Sequence, residues 1–367
     1  MKIAMHIFFC LVLIDSLYSQ VKINSATFGA IEARAMGPGT MSGRITAIEG
    51  VNQDGKTLYI GTAGGGVWKS TNAGASFIPI FDKYCQSIGA LAIDQMNPSN
   101  IFVGTGESNM RNSVSIGTGL YKSNDAGANW IKLGLDSTEH ISKVILDPKN
   151  SNTIYVASPG PLWSDSPHRG LYKSMDGGRT WDKILFIDTK TGCADIAIDP
   201  NNPSIIYATT WEFRRTPYSF NSGGKGSGFY KSSDGGKNWK RISKGLPEGD
   251  FGRIALALAP SAPQNLIAIV ESNKTGLYIS SDAGESWKQQ SATMNVVSRP
   301  FYFSTIVVDP KDPKRVYRPA FNFSYSDDGG YSFNDASNDG GWVHSDHHAL
   351  WINPNNNNFL VVGTEGG

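Results

Sequence analysis

Half of the six histidines of this 367-residue chain fall within five residues, His344-Ser-Asp346-His347-His348. Imidazole and carboxylate are the donors that suit zinc or another transition metal. The phrase admits three readings: a metal site on His344, Asp346, His347 and His348, hydrogen bonding of His347 or His348 to the start of a strand, or acid-base work. Apart from that metal ion, no cofactor is implied. Neither a nucleophile elbow nor a dinucleotide fingerprint occurs. The glycine-rich GTAGGG from Gly61 runs from one strand into another and not into a helix, which leaves no phosphate cradle.

A second set of chemical residues lies in segments of variable length. GESNMRNSVSIG carries Glu107, Asn109, Arg111 and Asn112, and PGPLWSDSPHRG carries Trp163, Asp165, His168 and Arg169. WEFRRTPYSFNSGGKGSG adds Trp211, Glu212, Arg214, Arg215 and Tyr218, and Glu271 follows a later strand. Arg44, Asp195 and Arg253 precede or open other strands. Either these side chains converge on a ligand, with Trp163 and Trp211 offering ring faces to a sugar or cation, or they pair within their own loops and brace them.

A six-fold repeat decides what must position them. Ser-x-Asp-x-Gly-x-x-(Trp or Phe) starts at Ser70, Ser123, Ser174, Ser232, Ser280 and Ser326, the first copy carrying Asn72 in place of Asp. The copies recur about every 50 residues, a period of repeat architectures. Asp176 folds back onto backbone N–H groups while Gly178 takes a positive φ, the chemistry of a tight turn. The closing Trp130, Trp181, Trp239 and Trp287 are expected to be buried at equivalent places. Before each turn stand β-rich runs such as TIYVAS and GLYKS between Gly, Pro and Asn corners. Each period therefore supplies four strands, A to D. The expected fold is all-β, a propeller of six four-stranded blades with an incomplete seventh. In such a blade the repeated turns join C to D on one face. The B-to-C and D-to-A loops share the other face, where Glu107, Arg111, Glu212, Arg214 and Arg215 are expected to meet His344 and Asp346 around one channel mouth.

Composition supports this and excludes other classes. Charged residues are only 18%, and the formal charge of +1 gives no reason to expect nucleic acid or an anionic membrane as partner. Residues 1–19 have the pattern of a cleaved secretory leader: Lys2, an apolar run from Ile3 to Ile14, then small and polar residues. The apolar run is too short for a spanning helix, so the protein is expected to be secreted, periplasmic or at the cell surface. Residues 20–42 form a lead-in and 43–367 the propeller, which ends after strands A and B of the seventh unit. That ending reads as a fragment, an open arc with unpaired strand edges. Cys85 and Cys193 precede strands of units two apart, too far to favour a bridge.

The repeated phrase resembles the Asp-box, or BNR repeat, of sialidases, sortilin-type receptor domains and xyloglucan-hydrolysing propellers. Longer phrases are similar to secreted bacterial sortilin-like propeller proteins: GPGTMSGRITAI from Gly37, GTAGGGVWKST from Gly61, GTGESNMRNSVSIGTGLYKS from Gly104 and HSDHHALWINP from His344. What the resemblance implies is a propeller presenting its loop face to a glycan, peptide or protein ligand. The alternative is a glycoside hydrolase working through a carboxylate pair. In xyloglucan-hydrolysing propellers a catalytic Asp sits where this chain has Ala63, so that role does not carry over, and a pair such as Glu107 with Glu212 or Asp195 would have to replace it. Sialidases carry an Arg-Ile-Pro phrase, an arginine triad and a Tyr-Glu pair. Here Arg44-Ile45 and Arg253-Ile254 lack the proline.

Overall fold

The computed structural model describes residues 43–367 except 113 and 337–342; the leader and the lead-in, residues 1–42, lie outside the described residues. Six blades appear, each an antiparallel sheet whose strands follow chain order outward from the centre, and a seventh has two strands. The innermost strands are Ile45–Gly50, Ile88–Ile93, Lys143–Asp147, Thr191–Ile198, Ile254–Leu258, Val307–Val308 and His347–Ile352. Blade 4 carries an extra strand, Phe220–Ser222, which pairs with the far end of Ile206–Arg215 and lengthens that hairpin above the blade. A single short α-helix, Met294–Val297, occurs among the described residues.

The repeated turns are built the same way six times. The Ser hydroxyl accepts the N–H of the Gly four residues on, as in Gly178 N to Ser174 Oγ at 2.8 Å, and donates to the acid, Asp176 Oδ1 at 2.8 Å. That carboxylate then accepts the N–H of Thr180 at 3.0 Å. Two successive residues take positive φ, Gly177 at 77° and Gly178 at 94°. The first of these positions tolerates alanine, as Ala73, Ala126 and Ala283 show. Closing tryptophans tie neighbouring blades: Trp130 Nε1 donates to Ile80 O and Trp181 Nε1 to Leu133 O, both at 2.9 Å. Trp130 and Trp287 are buried, whereas Trp181 and Trp239 are partly exposed.

The arc expected to be open is closed. Blade 7 packs on blade 1, where Trp351 and Ala349 join the cluster of Ile45, Ile48, Leu58 and Trp68. Gly50 and Gly363 make the approach close: a Cβ on Gly50 would lie 2.3 Å from the Trp351 ring, and one on Gly363 would lie 2.5 Å from Ile45 Cγ2. Hydroxyls stitch successive inner strands, Thr46 Oγ1 to Ile88 O at 2.7 Å and Thr305 Oγ1 to His348 O at 2.8 Å. Two strands suffice for closure because ring contacts run through strands A and B. Among the described residues the outer strand of blade 7, Leu360–Thr364, pairs with His347–Ile352 alone. Cys85 and Cys193 are free thiols.

Candidate functional site

All seven blades line an axial channel of about 160 Å³. Over one end lies a polar network drawn from blades 1, 2, 6 and 7. Arg44, just before its inner strand, meets Glu107, just after strand Ile101–Thr105, in a two-pronged ion pair; Nη2 donates to Oε2 at 2.7 Å and Nε to Oε1. The remaining nitrogen of that guanidinium, Nη1, donates to Glu365 Oε1 at 3.1 Å and to Tyr302 Oη at 3.3 Å. Arg111 Nη1 reaches the same two oxygens at 3.3 Å each. The Tyr302 hydroxyl donates to Glu365 Oε1, and His348 Nε2 lies 3.5 Å from it.

The network is graded from buried to open. Side-chain exposure rises from 2% at Glu107 and 10% at Arg44 to 25% at Glu365 and 41% at Arg111. Burial pushes the Glu107 carboxyl up, and Arg44 pulls it back. Against its own burial, Arg44 is held firmly protonated by Glu107. His348, Tyr302 and Arg44 hold Glu365 far below the usual carboxylate range. Burial and Glu365 push the Tyr302 phenol up, which favours a brace over a nucleophile. His348, packed against Tyr302 and Phe303, is driven down to about 4 by burial and stays neutral.

Below the mouth the channel wall holds Glu49, pushed up to about 7 by burial, with Lys143 opposing. Asp195 sits inside an inner strand and not in a connection; it accepts Leu256 N at 3.0 Å and Ile196 N at 2.9 Å. Arg253 is buried and donates to Ser108 O at 2.8 Å and Phe301 O at 3.0 Å.

The other expected residues do not share that concavity. Arg214 pairs with Asp165 and donates to Trp163 O at 3.0 Å, while Arg215 donates to Asn112 Oδ1. Glu212 accepts Gly226 N at 3.0 Å and, with Lys190, Phe213, Arg214 and Asn221, lines a separate cleft of about 310 Å³ on blade 4. Glu271 accepts from Ser222 at 2.7 Å and from Arg253 N at 2.8 Å. Trp211 is fully buried, stacked on Phe213 at 4.2 Å, so it offers no face to a ligand; Trp163 is 49% exposed. Pocket and bracing therefore both occur: Glu107 and Arg111 join the mouth, and the blade 3 and 4 loops are tied together beside it.

The histidine phrase splits. His347 bonds Ala320 O at 3.0 Å through Nδ1, His348 turns to the mouth, and His344 Nδ1 lies 2.7 Å from Ser345 O. Among the described residues no group of three His, Cys, Asp or Glu is arranged to hold a metal ion.

Sequence reasoning missed Tyr302 and Glu365. A signal for the latter exists: Gly363-Thr364-Glu365 ends its strand B much as Gly104-Thr105-Gly106-Glu107 does, an acid just past a Gly-Thr pair. Tyr302 carries no such mark.

This architecture and site define a β-propeller similar to the sortilin type. A family model described as Sortilin, neurotensin receptor 3 (Sortilin-Vps10) matches residues 118–277. A probable oligoxyloglucan-reducing end-specific xyloglucanase of Neosartorya fischeri is 24% identical over 213 residues, 55% of this chain but only 24% of that protein. The GH74 enzyme of Niastella koreensis superposes with a TM-score of 0.53 at 18% identity, over 79% of this chain and 53% of that one. YCF48 bound to D1 peptide superposes with a TM-score of 0.58 at 13% identity, over 92% of this chain and 96% of that one. The chain thus spans about a quarter of the curated relative and half of the GH74 enzyme. Among the described residues no helix is long and apolar enough to cross a membrane.

Proposed function

We propose that this chain is a secreted or cell-surface binding module that takes a polar glycan at the channel mouth. The observation that carries the reading is the Arg44–Glu107–Glu365–Arg111 network, two guanidinium groups and two carboxylates from three blades, opening to solvent at Arg111. Such a set offers charge-assisted donors and acceptors together, the complement of sugar hydroxyls. The xyloglucanase name of the curated relative favours a glycan, and the leader pattern of residues 1–19 favours export.

Hydrolysis draws less support from this geometry. A carboxylate pair needs one protonated member reaching the scissile oxygen. Glu365 is held ionised, and Glu107 is covered by Arg44. A peptide ligand has one observation in its favour, the peptide-bound propeller that superposes along nearly its whole length. A glycan array probed with the chain and with Arg111→Ala and Tyr302→Phe tests the reading. Selective glycan binding weakened by both changes is expected; binding indifferent to both removes the mouth as the site.

A further inference from the structure

The exposed end of the mouth network leaves guanidinium donors unused. Both oxygens of Glu107 are taken by Arg44, and Glu365 Oε1 already accepts from Arg44, Arg111 and Tyr302. Arg111 spends only Nη1 on these partners, which leaves Nε and Nη2 at its exposed end. A second guanidinium meets the same tyrosine ring. Arg299, in the D-to-A connection before blade 6, is exposed, takes a φ of 42°, and lies over the Tyr302 ring at 4.9 Å; Arg111 lies over the same ring at 5.9 Å. The Arg299 carbonyl accepts Tyr302 N and Phe303 N at 2.9 Å, its guanidinium makes neither a hydrogen bond nor an ion pair among the described residues, and a nearby acid that feels its charge is Asp346.

A ring face orients a guanidinium without consuming its N–H groups. Tyr302, buried and fixed by its bond to Glu365, thereby holds two forks at the rim of the channel with donors free to reach outward. A planar two-oxygen anion matches such forks better than a hydroxyl does.

Building on the glycan reading above, we propose that Arg111 and Arg299, steered by Tyr302, form a carboxylate subsite, so that the preferred ligand is an oligosaccharide bearing uronic acids. Glu365 is the internal competitor for Arg111. The ligand carboxylate takes the donors that Glu365 leaves unused and does not displace it.

Calorimetric titration of the full chain with tetragalacturonate, its methyl ester and neutral cellotetraose tests this. The acid is expected to bind about tenfold or more tightly than the ester, a difference of one charge-assisted contact. Arg111→Gln and Arg299→Gln should each erase most of that preference, Arg299→Gln leaving the weaker ester and neutral binding in place because it stands outside the mouth network, and added salt should weaken the acid alone. Equal binding of acid and ester, or a preference untouched by either substitution, overturns the subsite while the mouth reading stands. Binding of none of the three sugars overturns both, and capture of a peptide through its C-terminal carboxylate instead assigns the forks to a different ligand class.

Discussion

Arg44 and Glu107, sixty-three residues apart, close a two-pronged ion pair between blades 1 and 2 at the channel mouth, Nη2 to Oε2 at 2.7 Å. The pair is nearly buried, so removing one member strands the other charge. Arg44→Gln or Glu107→Gln alone is expected to cost about 3–5 kcal/mol, with the double substitution costing less than the sum. Denaturation of the three variants checks this, and strictly additive losses would show that the two side chains are not coupled.

The repeated turns are scaffold. Ser174 is buried and serves both as acceptor for Gly178 and donor to Asp176. Ser174→Ala should lower stability by about 1–3 kcal/mol, the scale of an unsatisfied buried donor, with ligand affinity of the folded protein unchanged. Lost affinity at full stability would move function to the turn face.

Hydrogen bonds from neighbouring side chains and backbone N–H groups lower the turn carboxylates Asp125, Asp234, Asp282 and Asp328 to about 2. Their unfolded value is about 3.9. Because the folded value is the lower, these groups add stability above about pH 4 that is lost as pH falls through about 2. His140 and His348, kept neutral by burial and lowered from the ordinary 6.5 to about 4, add a further loss between those two values as pH falls. A denaturation midpoint that stays flat from pH 7 to pH 2 would contradict both.

The two tryptophans once grouped as ring platforms now separate. Trp211→Ala should cost about 3–5 kcal/mol, as for an aromatic removed from a packed core. Trp163→Ala should leave stability within error, since that side chain is half exposed. Thermal melts of the two variants decide it.

The fold was legible because one phrase repeats in register and each part of it has a fixed backbone role: Ser174 and Asp176 build the turn, Gly178 permits it, and GLYKS from Gly170 pairs as strand C. Ring closure was not, because it depends on Gly50 admitting Trp351 from the far end of the chain. Half of the site was visible as Glu107 and Arg111, which stand in a long variable loop. Glu365 carried only the Gly363-Thr364 mark that it shares with Glu107, and Tyr302 was invisible because it stands in no charged cluster and finds its role only through the bond to Glu365. Arg214 and Arg215 misled because a run of cations marks a loop that needs anchoring as readily as one that binds, and here Asp165 and Asn112 anchor it.

The central claim is binding without turnover at the mouth. The most direct test titrates the chain with a panel of soluble polysaccharides, xyloglucan and polygalacturonate included, and assays the same samples for new reducing ends. Saturable binding that Arg111→Ala and Tyr302→Phe weaken, with no new reducing ends, is the predicted result. Reducing ends that accumulate with time and disappear in Glu365→Gln or Glu107→Gln, while binding persists, would contradict it and make the carboxylates catalytic.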